Sequence, residues 1–180
     1  MQDHVGSVWV GTADGLNRID AERINIEYFF HTPGEPSTLT GNHIYSIYQD
    51  KSLDIWIGTD EGLNHLPFAK ILSPSFIQYR RKVGEEQTIS SNFIRAMIED
   101  GKGNFWVGTD KGLNLMNRQE GTFKQFYNPK SEQSNHIHCL LLDKKERLWL
   151  GTEKGLVRYN PISKKFTNYL NEESLSLIHI

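Results

Sequence analysis

Trp106-Val-Gly-Thr-Asp-Lys-Gly-Leu-Asn114 is a phrase that the chain states four times. The other copies are Trp9-Val-Gly-Thr-Ala-Asp-Gly-Leu-Asn17, Trp56-Ile-Gly-Thr-Asp-Glu-Gly-Leu-Asn64 and Trp149-Leu-Gly-Thr-Glu-Lys-Gly-Leu-Val157. Successive tryptophans stand 47, 50 and 43 positions apart, and the phrase holds all four Trp of the protein. A repeat of that period decides the fold before any local reading does.

The copying extends outward from the phrase. Asp3, Asp50, Asp100 and Asp143 each lie six residues before their Trp, and Asn42, Asn92 and Asn135 each lie fourteen before theirs. Downstream, Ile26/Phe29, Phe76/Tyr79, Phe123/Phe126 and Phe166/Tyr169 keep a spacing of three. Length changes in two places. Trp to the first of the pair takes 17, 20, 17 and 17 residues; the second of the pair to the next Asn takes 13, 13 and 9. One unit recurs, with fixed elements and two free loops.

Each unit reads as four strands. Asn42 to Asp50 is rich in β-branched and aromatic residues and ends in turn chemistry, Asp50-Lys-Ser-Leu-Asp54. Its counterparts, Asn92 to Asp100 and Asn135 to Asp143, are apolar at neighbouring positions, as a strand buried on both faces requires. Ile55 to Thr59 is a second strand, Asp60-Glu-Gly62 a tight turn, Leu63 to Leu66 a third strand and Phe76 to Tyr79 a fourth. Gly15, Gly62, Gly112 and Gly155 are expected to supply a positive φ at that turn. No sustained helical periodicity occurs.

The expected fold is all-β: a partial propeller of four-stranded antiparallel blades, with three complete blades and an incomplete first one, cut from a larger ring. The blades span about residues 2–30, 42–80, 92–127 and 135–170, within one domain over 1–174. Trp9, Trp56, Trp106 and Trp149 then plug the gaps between adjacent blades. Cys139 aligns with the small residues Ser46 and Ala96 and is expected to be an inert core thiol.

Bulk composition narrows the partners. The 180 residues are 37% hydrophobic, enough for a sizeable core, and the net charge of −2 exerts no long-range pull on nucleic acid or acidic membranes. No apolar stretch approaches the roughly 20 residues that span a bilayer. The opening Met1-Gln-Asp-His-Val-Gly6 has neither the charged nor the apolar part of a signal peptide, so none is expected in it. A single cysteine permits no internal disulfide.

Asp100-Gly-Lys-Gly-Asn-Phe-Trp-Val-Gly-Thr-Asp-Lys-Gly-Leu-Asn114 resembles the two-component-regulator propeller repeat of bacterial hybrid histidine kinases. The other copies depart only at the turn glycine (Leu53, Glu146) or the closing Asn (Val157). The WD40 pairing and the sialidase Asp-box both fail. The resemblance implies a periplasmic sensor region, followed in such proteins by a membrane span, a kinase core and an output domain. It implies an oligosaccharide ligand, the remaining blades of a parent propeller as neighbours and a homodimer of the parent sensor. No cofactor, no nucleic acid partner and no direct membrane insertion are expected of this segment. Fold alone does not establish function.

Chemistry is sparse. His136 and His138 share a strand face and could start a metal site, but no third ligand is apparent, so none is expected. Asp60, Asp110 and Glu153 lie in equivalent turns and read as turn formers. The better candidates are Tyr45, Arg95 and His138, which begin the first strand in three successive blades and differ in type while their neighbours stay apolar. His43 and His136 lie beside them. Tyr45 suits stacking on a sugar ring, and Arg95 suits hydroxyls or acidic groups. The linkers at 30–41, 80–91 and 127–134 join the same end and are candidate recognition loops. A non-catalytic sensor module is therefore expected; a structural or interaction propeller is the alternative, and an enzyme is the weakest reading.

Both ends look cut. Gln2-Asp3 matches the end of a first strand, and Leu175-Ser-Leu-Ile-His-Ile180 resembles the translation of a sequencing adaptor, or else the start of a further blade.

Overall fold

The computed structural model describes residues 1–169. It is all-β, with only two short 3-10 turns, Phe68–Lys70 and Glu132–Asn135. Blade 1 comprises β1 (Val8–Thr12), β2 (Gly15–Ile19) and β3 (Ile26–Phe29). Blade 2 comprises β4 (Ile44–Gln49), β5 (Ile55–Thr59), β6 (Leu63–Leu66) and β7 (Ile77–Tyr79). Blade 3 comprises β8 (Ile94–Glu99), β9 (Phe105–Thr109), β10 (Gly112–Asn117) and β11 (Thr122–Phe126). Blade 4 comprises β12 (Ile137–Leu142), β13 (Leu148–Thr152), β14 (Gly155–Asn160) and β15 (Lys165–Tyr169). Each sheet is an antiparallel meander in chain order. The first has three strands, with a lone bridge between Gln2 and Val8 at the place of its innermost strand. This is the expected partial propeller. The six-residue terminal stretch singled out in the sequence lies outside the described residues.

The repeated residues have distinct duties. Each Asp accepts the indole Nε1–H of its Trp: Asp3 from Trp9 at 2.8 Å, Asp50 from Trp56 at 2.9 Å, Asp100 from Trp106 at 3.1 Å and Asp143 from Trp149 at 2.9 Å. The same carboxylate closes the turn between the first two strands; Asp100 takes the backbone N–H of Lys102 and of Asn104. In that turn Gly6 and Gly103 have φ of 92° and 81°, and the departing Leu53 and Glu146 hold the same left-handed backbone at 70° and 55°. The phrase's Thr donates to the carbonyl of the turn glycine three residues on, as Thr59 does to Gly62 at 3.0 Å. Gly62 has φ 144°, and a Cβ there would lie 2.7 Å from the Tyr79 carbonyl.

The core lies between blades rather than within them. Trp9, Leu16 and Phe29 of blade 1 pack on Ile55, Ile57, Leu66 and Phe76 of blade 2. Trp56, Leu63 and Tyr79 pack on Phe105, Val107, Met116 and Phe123. Trp106, Leu113 and Phe126 pack on Leu148, Leu150, Tyr159 and Phe166. Every blade thus offers a Trp/Leu face forward and an aliphatic face backward. The glycine of Trp-x-Gly-Thr admits the next blade. A Cβ at Gly11, Gly58 or Gly108 would lie 2.4–2.8 Å from the γ2 carbon of Ile44, Ile94 or Ile137 respectively.

The linkers close each gap. Leu39 and Ile89 are buried between blades. Thr40 and Ser90 donate their backbone N–H to Asn64 and Asn114, and their hydroxyls meet Thr59 and Thr109 at 2.8 Å. Asn42, Asn92 and Asn135 fix the linker's entry, accepting the N–H of His31, Arg81 and Asn128. Arg118 adds a tie across blades 2 and 3, at 2.7 Å from Asp50 and 3.0 Å from Glu99. Burial pushes the Glu99 carboxyl up, but Lys51 N–H and Arg118 outweigh it and hold it below its ordinary range.

Two expectations need correction. Cys139 is exposed rather than a core thiol. At the equivalent position Ser46 faces blade 3, its hydroxyl 3.4 Å from the Ile94 carbonyl; among the described residues no fifth blade covers Cys139. For the same reason Trp149 is only half-buried, whereas Trp9, Trp56 and Trp106 are buried.

Candidate functional site

β4, β8 and β12 are the innermost strands of blades 2, 3 and 4, and they start opposite the hairpin turns, Ile44 against Thr59, Ile94 against Thr109 and Ile137 against Thr152. Immediately after these pairs the register slips, between Ile44 and Ser46, Ile94 and Ala96, and Ile137 and Cys139. Tyr45, Arg95 and His138 are therefore the bulged residues of their strands. A bulge leaves one residue out of the ladder and re-aims its side chain. This explains why those three positions vary in type within strands that do not.

The structure brings two of the three together. Tyr45 and Phe93 have ring centroids 4.6 Å apart, across the boundary of blades 2 and 3. The Arg95 guanidinium carbon stands 4.5 Å from the Phe93 centroid and 5.5 Å from that of Tyr45. Tyr45 is exposed; Phe93 and Arg95 are half-buried. His138 is exposed at the equivalent point of blade 4 and takes no part in the cluster. Phe93 is the member that sequence reasoning missed, although it aligned with His43 and His136.

Those two histidines do something else. His43 Nδ1 lies 3.0 Å from Asp60 Oδ2, and His136 Nδ1 lies 2.5 Å from Glu153 Oε2. In blade 3 the histidine's place is taken by Phe93, whose ring offers no such bond, and Asp110 Oδ1 is buried without a partner. The rim at blades 2 and 3 thus has two aromatic faces, a cation stacked on them and one unmatched acceptor. No group of three metal-ligating side chains converges among the described residues.

Two open depressions adjoin this rim. One, about 370 Å³, is lined by His31, Thr40, His43, Asp60 and Arg80. The other, about 330 Å³, runs between blades 1 and 2 past Gly11, Ile44 and Tyr45. A larger hollow, about 790 Å³, lies at the outer edge of blade 3 beside Arg118 and Lys124. Arg118 is already committed to Asp50 and Glu99 there, so the rim is the better candidate. The linkers divide in two. Residues 39–41 and 89–91 are buried latches, while the tips at 33–37 and 82–87 are exposed and free to vary.

A family model described as "Two component regulator propeller" matches residues 38–61, 88–111 and 131–154. Each match runs from the linker through the inner strand and the Trp strand into the hairpin. No curated protein matches the chain. Among solved structures, the extracellular domain of a B. thetaiotaomicron protein described as a hybrid two-component system superposes with a TM-score of 0.67 at 22% identity, covering 93% of this chain and 29% of that one. Virginiamycin B lyase from Staphylococcus aureus gives 0.70 at 12%, covering 97% and 55%. PorZ, a surface component of the type-IX secretion system of Porphyromonas gingivalis, gives 0.70 at 18%, covering 98% and 27%. These likenesses establish the propeller fold, and the chain spans well under two thirds of each of these proteins.

Proposed function

Because the chain carries two-component regulator propeller repeats, we propose that it is an extracytoplasmic sensing segment that binds an oligosaccharide without transforming it. The observation that carries this reading is the Tyr45–Phe93–Arg95 cluster on two adjacent β-bulges. Aromatic faces suit the apolar face of a sugar ring. Arg95 has five N–H donors for ring hydroxyls. The arrangement of the acids supports the non-catalytic reading: Asp60 and Glu153 are held by histidines, and the three turn carboxylates sit on three separate blades. The hybrid two-component neighbour, described as an extracellular domain, favours a periplasmic setting.

Calorimetric titration with a panel of oligosaccharides tests the reading. Binding is expected, weakened roughly tenfold or more by Arg95→Ala, the worth of one charged hydrogen bond. Phe93→Ala should weaken it as well. Absence of binding across the panel, or equal binding by folded variants, overturns the assignment. An interaction propeller is then the better description.

A further inference from the structure

A second set of variable side chains lies at the same end of the blades, just past the outer strands. Phe30, Arg80 and Tyr127 hold one position in blades 1, 2 and 3, immediately after Phe29, Tyr79 and Phe126, and all three are exposed. Each lies across the turn glycine of its own blade. A Cβ at Gly15, Gly62 or Gly112 would stand 2.8, 3.1 or 3.2 Å from the Phe30 ring, Arg80 Cγ or the Tyr127 ring respectively. The next position holds His31, Arg81 and Asn128, whose backbone N–H groups go to Asn42, Asn92 and Asn135. The repeat fixes the backbone at these places and leaves the side chains free to differ, as it does at Tyr45, Arg95 and His138.

On blade 2 the outer set and the inner rim meet in the depression of about 370 Å³, where His31, His43 and Arg80 converge. Each of the three is tied to the protein at one end. His31 Nδ1 lies 2.7 Å from the Leu39 carbonyl, which can only accept, so Nδ1 carries the proton. Nε2 of His31 then keeps its lone pair and bonds nothing among the described residues. His43 Nδ1 meets the Asp60 carboxylate in the same way, at 3.0 Å, and its Nε2 is likewise unbonded there. Arg80 Nη2 donates to the Thr40 carbonyl at 2.8 Å, and its remaining N–H groups make no other bond among the described residues. Fixed acceptors and a fixed donor fork thus stand side by side. The wall carries two carboxylates, Asp60 and Glu61, against one guanidinium, which disfavours an anion in the depression.

We propose that this depression is a second saccharide subsite, taking neighbouring hydroxyls of an uncharged sugar unit adjacent to the one at Tyr45, Phe93 and Arg95. One hydroxyl donates to an imidazole Nε2 while the next accepts from Arg80, a pairing that a vicinal diol satisfies and a carboxylate does not. The subsite rests on the oligosaccharide reading above and gives the ligand a direction. His43 stands two residues before Tyr45, roughly 7 Å along an extended chain, so one ligand can span both places. The ligand runs outward over blade 2, from the bulge towards the turn at Gly62. His31 and Arg80 then set which second unit is accepted.

The test is calorimetry on the 180-residue chain with uncharged monosaccharides and the disaccharides built from them. The wild type should bind a disaccharide roughly tenfold or more tightly than its component monosaccharide, the worth of one further hydrogen bond to a charged group. His31→Asn and Arg80→Phe introduce residue types that the repeat itself carries at those positions, in Asn128 and Phe30, so thermal melts should show folded protein. Each variant should lose the disaccharide's advantage and bind the monosaccharide as the wild type does. Arg95→Ala should weaken both. A disaccharide whose second unit is a uronate should bind less tightly than its uncharged counterpart. If sugars bind and Arg95→Ala weakens them while His31→Asn and Arg80→Phe change nothing, the second subsite is refuted and the first stands. Variants that weaken both lengths equally, or a wild type that gains nothing from the second unit, also refute it. Tighter binding of the uronate refutes the uncharged class. No binding by any sugar removes the sensing reading itself, and this subsite with it.

Discussion

Ile137 of blade 4 is seated on Gly108 of blade 3 so closely that a Cβ on the glycine would stand 2.6 Å from Ile137 Cγ2 and 3.2 Å from its Cβ. The contact joins two blades, so relief requires moving a whole sheet. Gly108→Ala is expected to cost about 1–3 kcal/mol, the usual penalty for overpacking a core. At Gly151 the one atom in the way is Sγ of the exposed Cys139, at 2.4 Å, and Gly151→Ala should cost clearly less. Chemical denaturation of both variants checks the order; equal losses would refute the seat.

The latch residues predict an asymmetry. Asn114 accepts the N–H of Ser90 and donates to the Ser90 hydroxyl and the Val107 carbonyl. Asn114→Ala leaves a buried N–H unpaired and should cost about 1–3 kcal/mol. Blade 4 has Val157, buried, at that position, and its linker is four residues shorter. Val157→Asn gains no latch and should destabilise too. A denaturant midpoint that rises in Val157→Asn contradicts this account.

Stability should fall in acid for a specific reason. Burial pushes the Asp100 carboxyl up, but hydrogen bonds from Asn104, Trp106 and two backbone N–H groups outweigh it and leave it below the usual range. Asp143 is held well below that range, first by the Trp149 indole. A carboxyl lowered on folding adds stability in full above its ordinary value, about 3.9, and loses it as pH drops through the folded value. Melting temperatures should therefore decline from about pH 4 downward. In Asp100→Asn the decline should be shallower; an unchanged slope argues against Asp100.

Tyr159 carries a buried hydroxyl with no partner, and burial pushes its pKa up to about 12. Equivalent positions in blades 2 and 3 hold Leu66 and Met116, both buried. Tyr159→Phe should therefore be neutral or stabilising, by up to about 1 kcal/mol. The wild type keeps this group's contribution below its unfolded pKa of about 10 and loses it as pH rises through the folded value. The Phe variant should resist alkaline unfolding better, and a fall in its neutral-pH midpoint would count against an unpaired hydroxyl.

Much of the fold was legible because the repeat fixes distances along the chain. The six-residue Asp–Trp spacing is the length of one turn plus the reach of an indole to a carboxylate. The turn glycines announced their backbone. Other features were hidden because their partners lie in the next blade. The first glycine of the phrase has no legible role until Ile44, Ile94 and Ile137 are seen against it. The variable linkers read as recognition loops, yet residues 39–41 and 89–91 within them are buried. Tyr45, Arg95 and His138 stood out by varying; that they are bulged, and that Phe93 lies between Tyr45 and Arg95, depends on register and cross-blade geometry.

The latch has a consequence for how such chains are recombined. Leu39 and Thr40 precede the strands of blade 2 yet complete its hydrogen bonds and its core, and Ile89 and Ser90 do the same for blade 3. The heritable module is therefore offset from the sheet: it begins inside the linker and carries its own lock. Crossovers or insertions at the exposed tips near Gly34 and Gly84, where a side chain would meet nothing within 4 Å, leave every lock with its keeper. A cut at the visible strand boundary separates them, and duplication at the tips is the route by which rings of this repeat can grow or shrink by one blade.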